Sequence, residues 1–376
     1  MQSRISHLTS VHSYMDTRIF IKECCSSVQA GNEVHFVAPE APNQKVNGVQ
    51  VHSLSKPGGN RLIRMTKSTW AVYKKAHSIN ADVYHFHDPE LIPIGLLLKL
   101  HGKKVIYDVH EDVPRQILSK HWIPKPLRKI ISWVFERFEN FAARKFDAVV
   151  TATPYINKRF EKLGCKAVNV NNYPILNEIN ITETVWNQKE RAVCYVGGIS
   201  EIRGILQMIE AMGKTDVQLL LAGQFTPIGL RQKAIAAQGW KQVVELGQIN
   251  REEVKDTLSR SIAGLVLFHP LPNHIDAQPN KMFEYMAAGI PLVASDFPLW
   301  KEIVEGNHCG VCVDPFNPED IAGAIQWLVD HLEEAKKMGE NGRKAVEEKY
   351  NWEQEAKKLI SLYEEIGEIN MKTTKT

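Results

Sequence analysis

Cysteine is scarce in this chain of 376 residues, with six in all (Cys24, Cys25, Cys165, Cys194, Cys309 and Cys312), and their spacing suggests no disulfide framework. Cys309 and Cys312 form a C-x-x-C, but no second Cys or His pair stands at zinc-finger distance, so both are expected to be structural. Long apolar runs are missing too. No stretch approaches the roughly 20 residues of a membrane span, and Met1 to His12 lacks the apolar centre of a signal peptide. The expected location is the cytoplasm. Net charge is small at +3, and no nucleic-acid partner is expected.

What remains is the make-up of a globular protein, 44% hydrophobic and 24% charged, long enough for two domains with full cores. The small net charge hides a split. Residues 1–175 hold 25 Lys and Arg against 14 Asp and Glu, a net of +11, and the remainder holds 21 against 29, a net of −8. A basic first half suits an anionic partner such as a membrane surface or a lipid phosphate.

Strand-like and helix-like stretches alternate in both halves, which predicts two doubly wound α/β domains. In the first, Ile5 to Val11 reads as a strand and Thr17 to Ala30 as a helix. The turn between them carries no glycine; Asp16 and Arg18 there are site candidates, or a helix cap and a surface Arg. Strands at Asp82 to Phe86 and Lys104 to Tyr107 both run into His and acidic residues, His87-Asp88 and His110-Glu111-Asp112. Strand ends are where such domains place active-site groups, so His87, Asp88 and His110 are candidates. These clusters could also ligate a metal, but no pair has helical i, i+4 spacing, and none is expected.

Residues 120–146 contain Leu127, Ile130, Ile131, Val134, Phe135, Phe138 and Phe141 at helical spacing, with Arg128, Lys129, Arg137, Arg144 and Lys145 between them and Trp122 and Trp133 beside them. Such a helix either packs on its own sheet or lies on an anionic membrane. Asn171 to Trp186 has no periodicity and reads as the linker. The expected domains are 1–175 and 187–350, with 351–376 a terminal helix and frayed tail.

The second domain opens with a strand at Ala192 to Val196 and the turn Gly197, Gly198 … Arg203, Gly204. Glycines after a first strand let the backbone approach a phosphate, and Arg203 adds a fixed charge. Further on, LVLFHPLPNHIDAQPNKMFEYMAAGIPLVAS (residues 265–295) reads as strand, polar loop, helix and strand. Lys281 and Glu284 share one side of that helix near its start. An ammonium for a phosphate and a carboxylate for a sugar diol suit a nucleotide; an ordinary surface pair is the plainer alternative.

This stretch resembles the donor-binding signature of glycosyltransferase family 4, in which an acidic residue, seven others and a Glu precede Gly-x-Pro. The pair here is Asp276 and Glu284, with Asp where the family usually has Glu. Arg203 and Gly197-Gly198 resemble the family's pyrophosphate loop, although Gly198 stands where an Arg is common. Gly247 resembles the base-reading segment, and His110 the histidine that contacts the transferred sugar. The resemblance implies a GT-B fold, two Rossmann-like domains facing across a cleft with the terminal helix crossing back to the first. It implies a retaining, metal-independent glycosyltransferase without a cofactor, moving a sugar from a UDP- or GDP-sugar to a hydroxyl acceptor, with a lipid-linked acceptor and a role in bacterial polysaccharide or cell-envelope synthesis. Peripheral contact with the inner face of the cytoplasmic membrane would follow. Catalytic roles would fall to His110, Asp276, Lys281 and Arg203. Donor binding would fall to these last three with Gly197, Gly198, Gly247, Ala277, Gln278 and Glu284. A sugar-nucleotide epimerase and a catalytically silent sugar-nucleotide-binding subunit are the alternatives.

Overall fold

The computed structural model describes residues 2–55, 61–120, 123–178 and 186–373. Trp122, residues 179–185 of the expected linker and residues 374–376 of the expected tail lie outside them. The chain divides into two compact units, Met1–Asn172 with Trp352–Thr376, and Tyr173–Asn351.

The first unit is built on eight strands: β1 (Arg4–Leu8), β2 (Glu33–Pro39), β3 (Lys45–Val46), β4 (Val49–Leu54), β5 (Val83–Phe86), β6 (Lys104–Val109), β7 (Ala148–Thr151) and β8 (Ala167–Asn169). Their order across the sheet is β3-β4-β2-β1-β5-β6-β7-β8. Every pairing is parallel except the β3–β4 hairpin, and parallel strands covered on both faces read as short apolar runs. The hairpin, β4 and the helix Arg61–Ile79 had no counterpart in the expectations above. Asn47 and Gly48 take positive φ at the hairpin turn, the Asn-Gly signal that could have located it.

The helix after β1 begins as a π-helix, Thr17–Cys24, and continues as α-helix over Cys25–Gln29. Asp16 caps it, its Oδ1 accepting from the amides of Arg18 and Ile19 at 2.9 Å. The wider π-turn sets residues five apart near one side, so Arg18 and Glu23 meet with Nε and Oε1 3.1 Å apart. The terminal helix Trp352–Thr373 belongs to this unit: Trp352 donates to Ser26 Oγ at 2.8 Å, and Glu355 accepts from the Asn171 amide.

The second unit has six parallel strands, β9 (Ala192–Val196), β10 (Gln218–Ala222), β11 (Val243–Gly247), β12 (Ala263–Val266), β13 (Leu292–Ser295) and β14 (Gly310–Val313). The order β11-β10-β9-β12-β13-β14 reverses direction between β9 and β12. At such a reversal the connections leave on opposite faces and a crevice opens beyond the strands' carboxyl ends. Gly264 in β12 has no side chain for a steric reason: a Cβ there would stand 2.1 Å from the ring of Tyr285. Tyr285 is buried, and its hydroxyl accepts from the Val196 amide at 2.9 Å, tying the helix Asn280–Ala287 to the end of β9.

Candidate functional site

Beyond β9 and β12 the second unit gathers the residues singled out from its sequence. Val196 ends β9 and the chain turns through Gly197 at φ 124° and Gly198. An added Cβ would fall 3.1 Å from Lys281 Nζ at Gly197 and 2.7 Å from Arg203 Nη1 at Gly198, so both cations press against bare backbone. Arg203 donates from Nη1 to the Gly198 carbonyl at 2.9 Å and lies over the Phe268 ring. Gly204 follows at φ 74°, and a Cβ there would meet the Leu267 carbonyl oxygen at 2.0 Å. Only glycine lets this loop close onto the end of β12.

Lys281 is the unusual member. It is 9% exposed, its Nζ has no hydrogen-bond partner among the described residues, and the ammonium sits 3.5 Å from the centre of the Tyr195 ring. Burial, then the nearby Arg203 charge, push its pKa well below the ordinary lysine value. A buried cation facing an aromatic ring and a second cation is costly without a counter-ion. Lys281 lies in the first turn of Asn280–Ala287, where the positive end of the helix dipole also favours an anion.

Glu284, one turn on, is not a lone surface acid. It accepts from Arg251 Nη1 at 2.8 Å, and Arg251 also reaches Glu178 at 3.3 Å. Arg251 was not legible as a site residue because it stands 33 positions away on another helix, Arg251–Arg260. Asp276 is partly buried in the turn before the helix. Ala277 spends both backbone groups internally, its N–H on His274 and its carbonyl on Trp300 Nε1. Gln278 accepts from the Tyr173 hydroxyl at 3.1 Å. Gly247, at φ 69°, accepts from the Gly223 amide at 2.7 Å at the end of β11.

The candidates in the first unit meet at the carboxyl ends of β1, β5 and β6. Asp108 is fully buried and accepts from Arg18 through both oxygens, at 2.9 and 3.2 Å. His110 Nε2 and His87 Nδ1 approach its Oδ2 at 2.9 and 3.1 Å. Burial opposes this charge, but Arg18 and His110 outweigh it and hold the Asp108 carboxyl well below its usual range. Since an ionised carboxylate only accepts, both histidines must donate. Arg18 and His87 are thus enclosed, at 4% and 2% exposure, while the His110 side chain is partly open at 19%.

Asp88 is also buried, accepting from Thr9 Oγ1 at 2.7 Å and from the Ser10 amide at 2.6 Å. Beside it His12 lies 3.3 Å from both Asp88 and Asp16. The hydrogen bond to Asp16 chiefly raises the His12 pKa. Burial alone would raise Asp16, but His12 and the Ile19 amide bring it to about 2. His12, His7, Glu23, His85 and Tyr363 were not picked out as site residues in sequence; what links them is the tertiary neighbourhood of Asp108.

Residues 24–174 match the glycosyl transferase 4-like domain, and residues 177–345 match the glycosyl transferases of group 1. An MMP α-(1→4)-mannosyltransferase of Mycolicibacterium hassiacum is 22% identical over 74% of this chain and 69% of its own. Among solved structures, a sucrose-phosphate synthase from Thermosynechococcus elongatus superposes with a TM-score of 0.77 at 17% identity, over 97% of this chain and 99% of that one. HepE of Anabaena, in complex with UDP-glucose, superposes at 0.74 with 13% identity, over 97% and 100% of the two chains.

Proposed function

We propose that this chain, which is a 4-like, group 1 glycosyltransferase of GT-B fold, moves a sugar from a nucleoside diphosphate donor to a hydroxyl group of an acceptor. The observation that carries this reading is the buried, unpartnered ammonium of Lys281, set beside Arg203 and the bare backbone of Gly197-Gly198 at the topological switch point. A diphosphate supplies the missing counter-charge. Glu284, kept in place by Arg251, accepts from the ribose hydroxyls, and Asp276 with the backbone around Gln278 orients the sugar. The likeness to HepE, whose structure holds UDP-glucose, favours a uridine donor.

The bond from the sugar's anomeric carbon to the β-phosphate oxygen breaks, and a bond to the acceptor oxygen forms. The acceptor's proton leaves on the departing diphosphate. Negative charge grows on that diphosphate, where Lys281, Arg203 and the amides opening the helix Asn280–Ala287 stabilise it without a metal. His110 is the first unit's catalytic candidate and Asp88 its acceptor candidate, and proton transfer to the leaving group on the face it departs from implies retention of anomeric configuration. NMR of the product checks this: an inverted anomeric centre refutes it.

The acceptor in this reading is lipid-linked, part of bacterial polysaccharide or envelope synthesis. The helix Lys125–Ala143 supports it, because its buried residues are Ser132, Glu139, Ala142 and Ala143 while Leu127, Ile130, Ile131, Trp133, Val134, Phe138 and Phe141 are exposed. That is the reverse of a helix packed by its apolar stripe, and exposed Lys125, Lys129 and Arg137 suit an anionic membrane.

The test is a thermal-shift series with UDP, GDP and their sugars, followed by transfer assays with the stabilising donor. One nucleotide should raise the melting temperature by mass action, and Lys281→Ala should abolish the rise. No response to any nucleoside diphosphate overturns the proposal. Donor turnover without acceptor, yielding the epimeric sugar, would point to an epimerase instead.

A further inference from the structure

The polar core under β1 and β5 contains more than the Asp108 cluster needs. His7 and His85 are register partners on neighbouring strands, and His87 follows two residues along, so all three imidazoles share one face of the sheet. Glu23 from the π-helix and Tyr363 from the terminal helix close over them, and every one of these side chains is buried. Nδ1 of His7, His85 and His87 lies 3.8, 3.9 and 4.0 Å from Glu23 Oε2.

Hydrogen-bond polarity in this core can be followed from the ionised Asp108. His87 Nδ1–H donates to Asp108, so a neutral His87 accepts at Nε2 from His7 Nδ1, 3.0 Å away. His7 then accepts at Nε2 from the Tyr363 hydroxyl at 3.2 Å, and Tyr363 in turn accepts from His85 Nδ1 at 2.7 Å. Every donor and acceptor in the run is matched until its end, where His85 Nε2 is left as a buried lone pair with no partner among the described residues. Both Glu23 oxygens are likewise without a hydrogen bond, although Arg18 Nε stands 3.1 Å from Oε1 outside hydrogen-bond geometry. Arg18 already serves Asp108, so two buried carboxylates share one guanidinium. Side by side, then, lie an unmatched imidazole lone pair and a second buried carboxyl group, Glu23, whose pKa burial and the Asp108 charge push well above its ordinary value.

We propose that His7, Glu23, His85 and His87 form a buried site for one divalent transition-metal ion of the zinc class. One candidate ligand atom from each of the four lies within 4.8 Å of the others. Zinc holds nitrogen and oxygen at about 2.0–2.1 Å, giving ligand separations of roughly 3.3 Å, so the widest-spaced pair closes by up to about 1.5 Å around the ion. Three imidazoles and a carboxylate are the donors such ions favour. With the ion bound, His87 keeps its Nδ1–H on Asp108 and ligates through Nε2, while His7 ligates through Nδ1 and turns its Nε2–H to the Tyr363 hydroxyl, so these two groups supply the outer hydrogen bonds that orient ligating histidines. The ion joins β1, β5, the π-helix and the terminal helix; it takes no part in sugar transfer, and the inference stands independently of the donor reading.

The competing occupant is a proton or a water in the same space. Metal analysis of the full-length protein, purified without a histidine tag or chelator, separates them. The expected result is about one zinc-class ion per chain, a melting temperature lowered by a strong chelator and restored by Zn²⁺ or Co²⁺. The Co²⁺ form should show ligand-field bands without the thiolate charge-transfer that the free cysteines would give. Glu23→Gln and His85→Gln should lose the stoichiometric ion, and where either fails to fold, Tyr363→Phe should hold it more weakly. Wild-type protein that carries less than about a tenth of an equivalent, and that Zn²⁺ and Co²⁺ neither stabilise nor colour, overturns the proposal.

Discussion

Lys281 is a buried lysine beside Arg203, and its burial alone has consequences for stability. Its pKa is lowered, so the unfolded chain binds more protons than the native one between the lowered value and about 10.5. That difference makes the ligand-free protein gain stability as pH rises through that window. Lys281→Met, which removes the buried charge, should therefore raise the melting temperature of the empty protein at neutral pH. The gap from wild type should narrow as pH approaches 10.5, as differential scanning fluorimetry across pH would show. The same variant should lose about a hundredfold or more in transfer rate, the usual cost of removing a group that stabilises developing charge. Glu284→Gln keeps the shape of the Arg251 pair but weakens a charge-assisted bond, so its donor affinity should fall roughly tenfold or more. In sequence, Lys281 and Glu284 were legible because their spacing on one short helix places them together. Arg251, His12 and Glu23 were not, since nothing local ties them to partners tens of residues away.

At the level of elements, the loop Gly197–Gly204 and the helix Lys125–Ala143 carry separate tests. Gly31 and Gly204 both sit at positive φ, at 88° and 74°, but a Cβ at Gly31 meets nothing within 4 Å while one at Gly204 collides with backbone. Gly31→Ala should cost about 1–2 kcal/mol for its backbone conformation alone. Gly204→Ala should cost more in chemical denaturation and also displace Arg203, weakening nucleotide binding. For the exposed stripe, flotation with anionic vesicles should recover the wild type in a salt-sensitive way, and Trp133→Ser with Phe141→Ser should lose it. Those changes should leave the melting temperature within a degree or two, because both rings are more than half exposed. Unchanged flotation would refute membrane contact through this face. The periodicity of that helix was readable, but its orientation was not: an apolar stripe looks the same whether it faces a sheet or water. What turned it outward is the pairing of Glu139 with Tyr107 and Arg159, and of Ser132 with the Pro114 carbonyl, on the opposite side.

For the whole molecule, the chain's last segment matters most to its first. Trp352 and Tyr363 are buried in the first unit, and Tyr363 completes the hydrogen-bond run through His7 and His85. A chain ending at Asn351 should therefore leave residues 2–172 sensitive to protease while residues 173–351 stay resistant; equal resistance in both would contradict this. The sequence by itself determined the α/β class, the alternation in both halves and the grouping of glycines, cations and carboxylates in residues 197–204 and 276–284. These rest on short-range periodicity and on groups that share one turn or helix. Only tertiary structure decided the strand order that puts the switch point between β9 and β12, the partner of Glu284 and the outward face of Lys125–Ala143. It alone assembled the core of His7, Glu23, His85, His87 and Tyr363, whose members span 356 positions between His7 and Tyr363 and meet only when sheet, π-helix and terminal helix close around them.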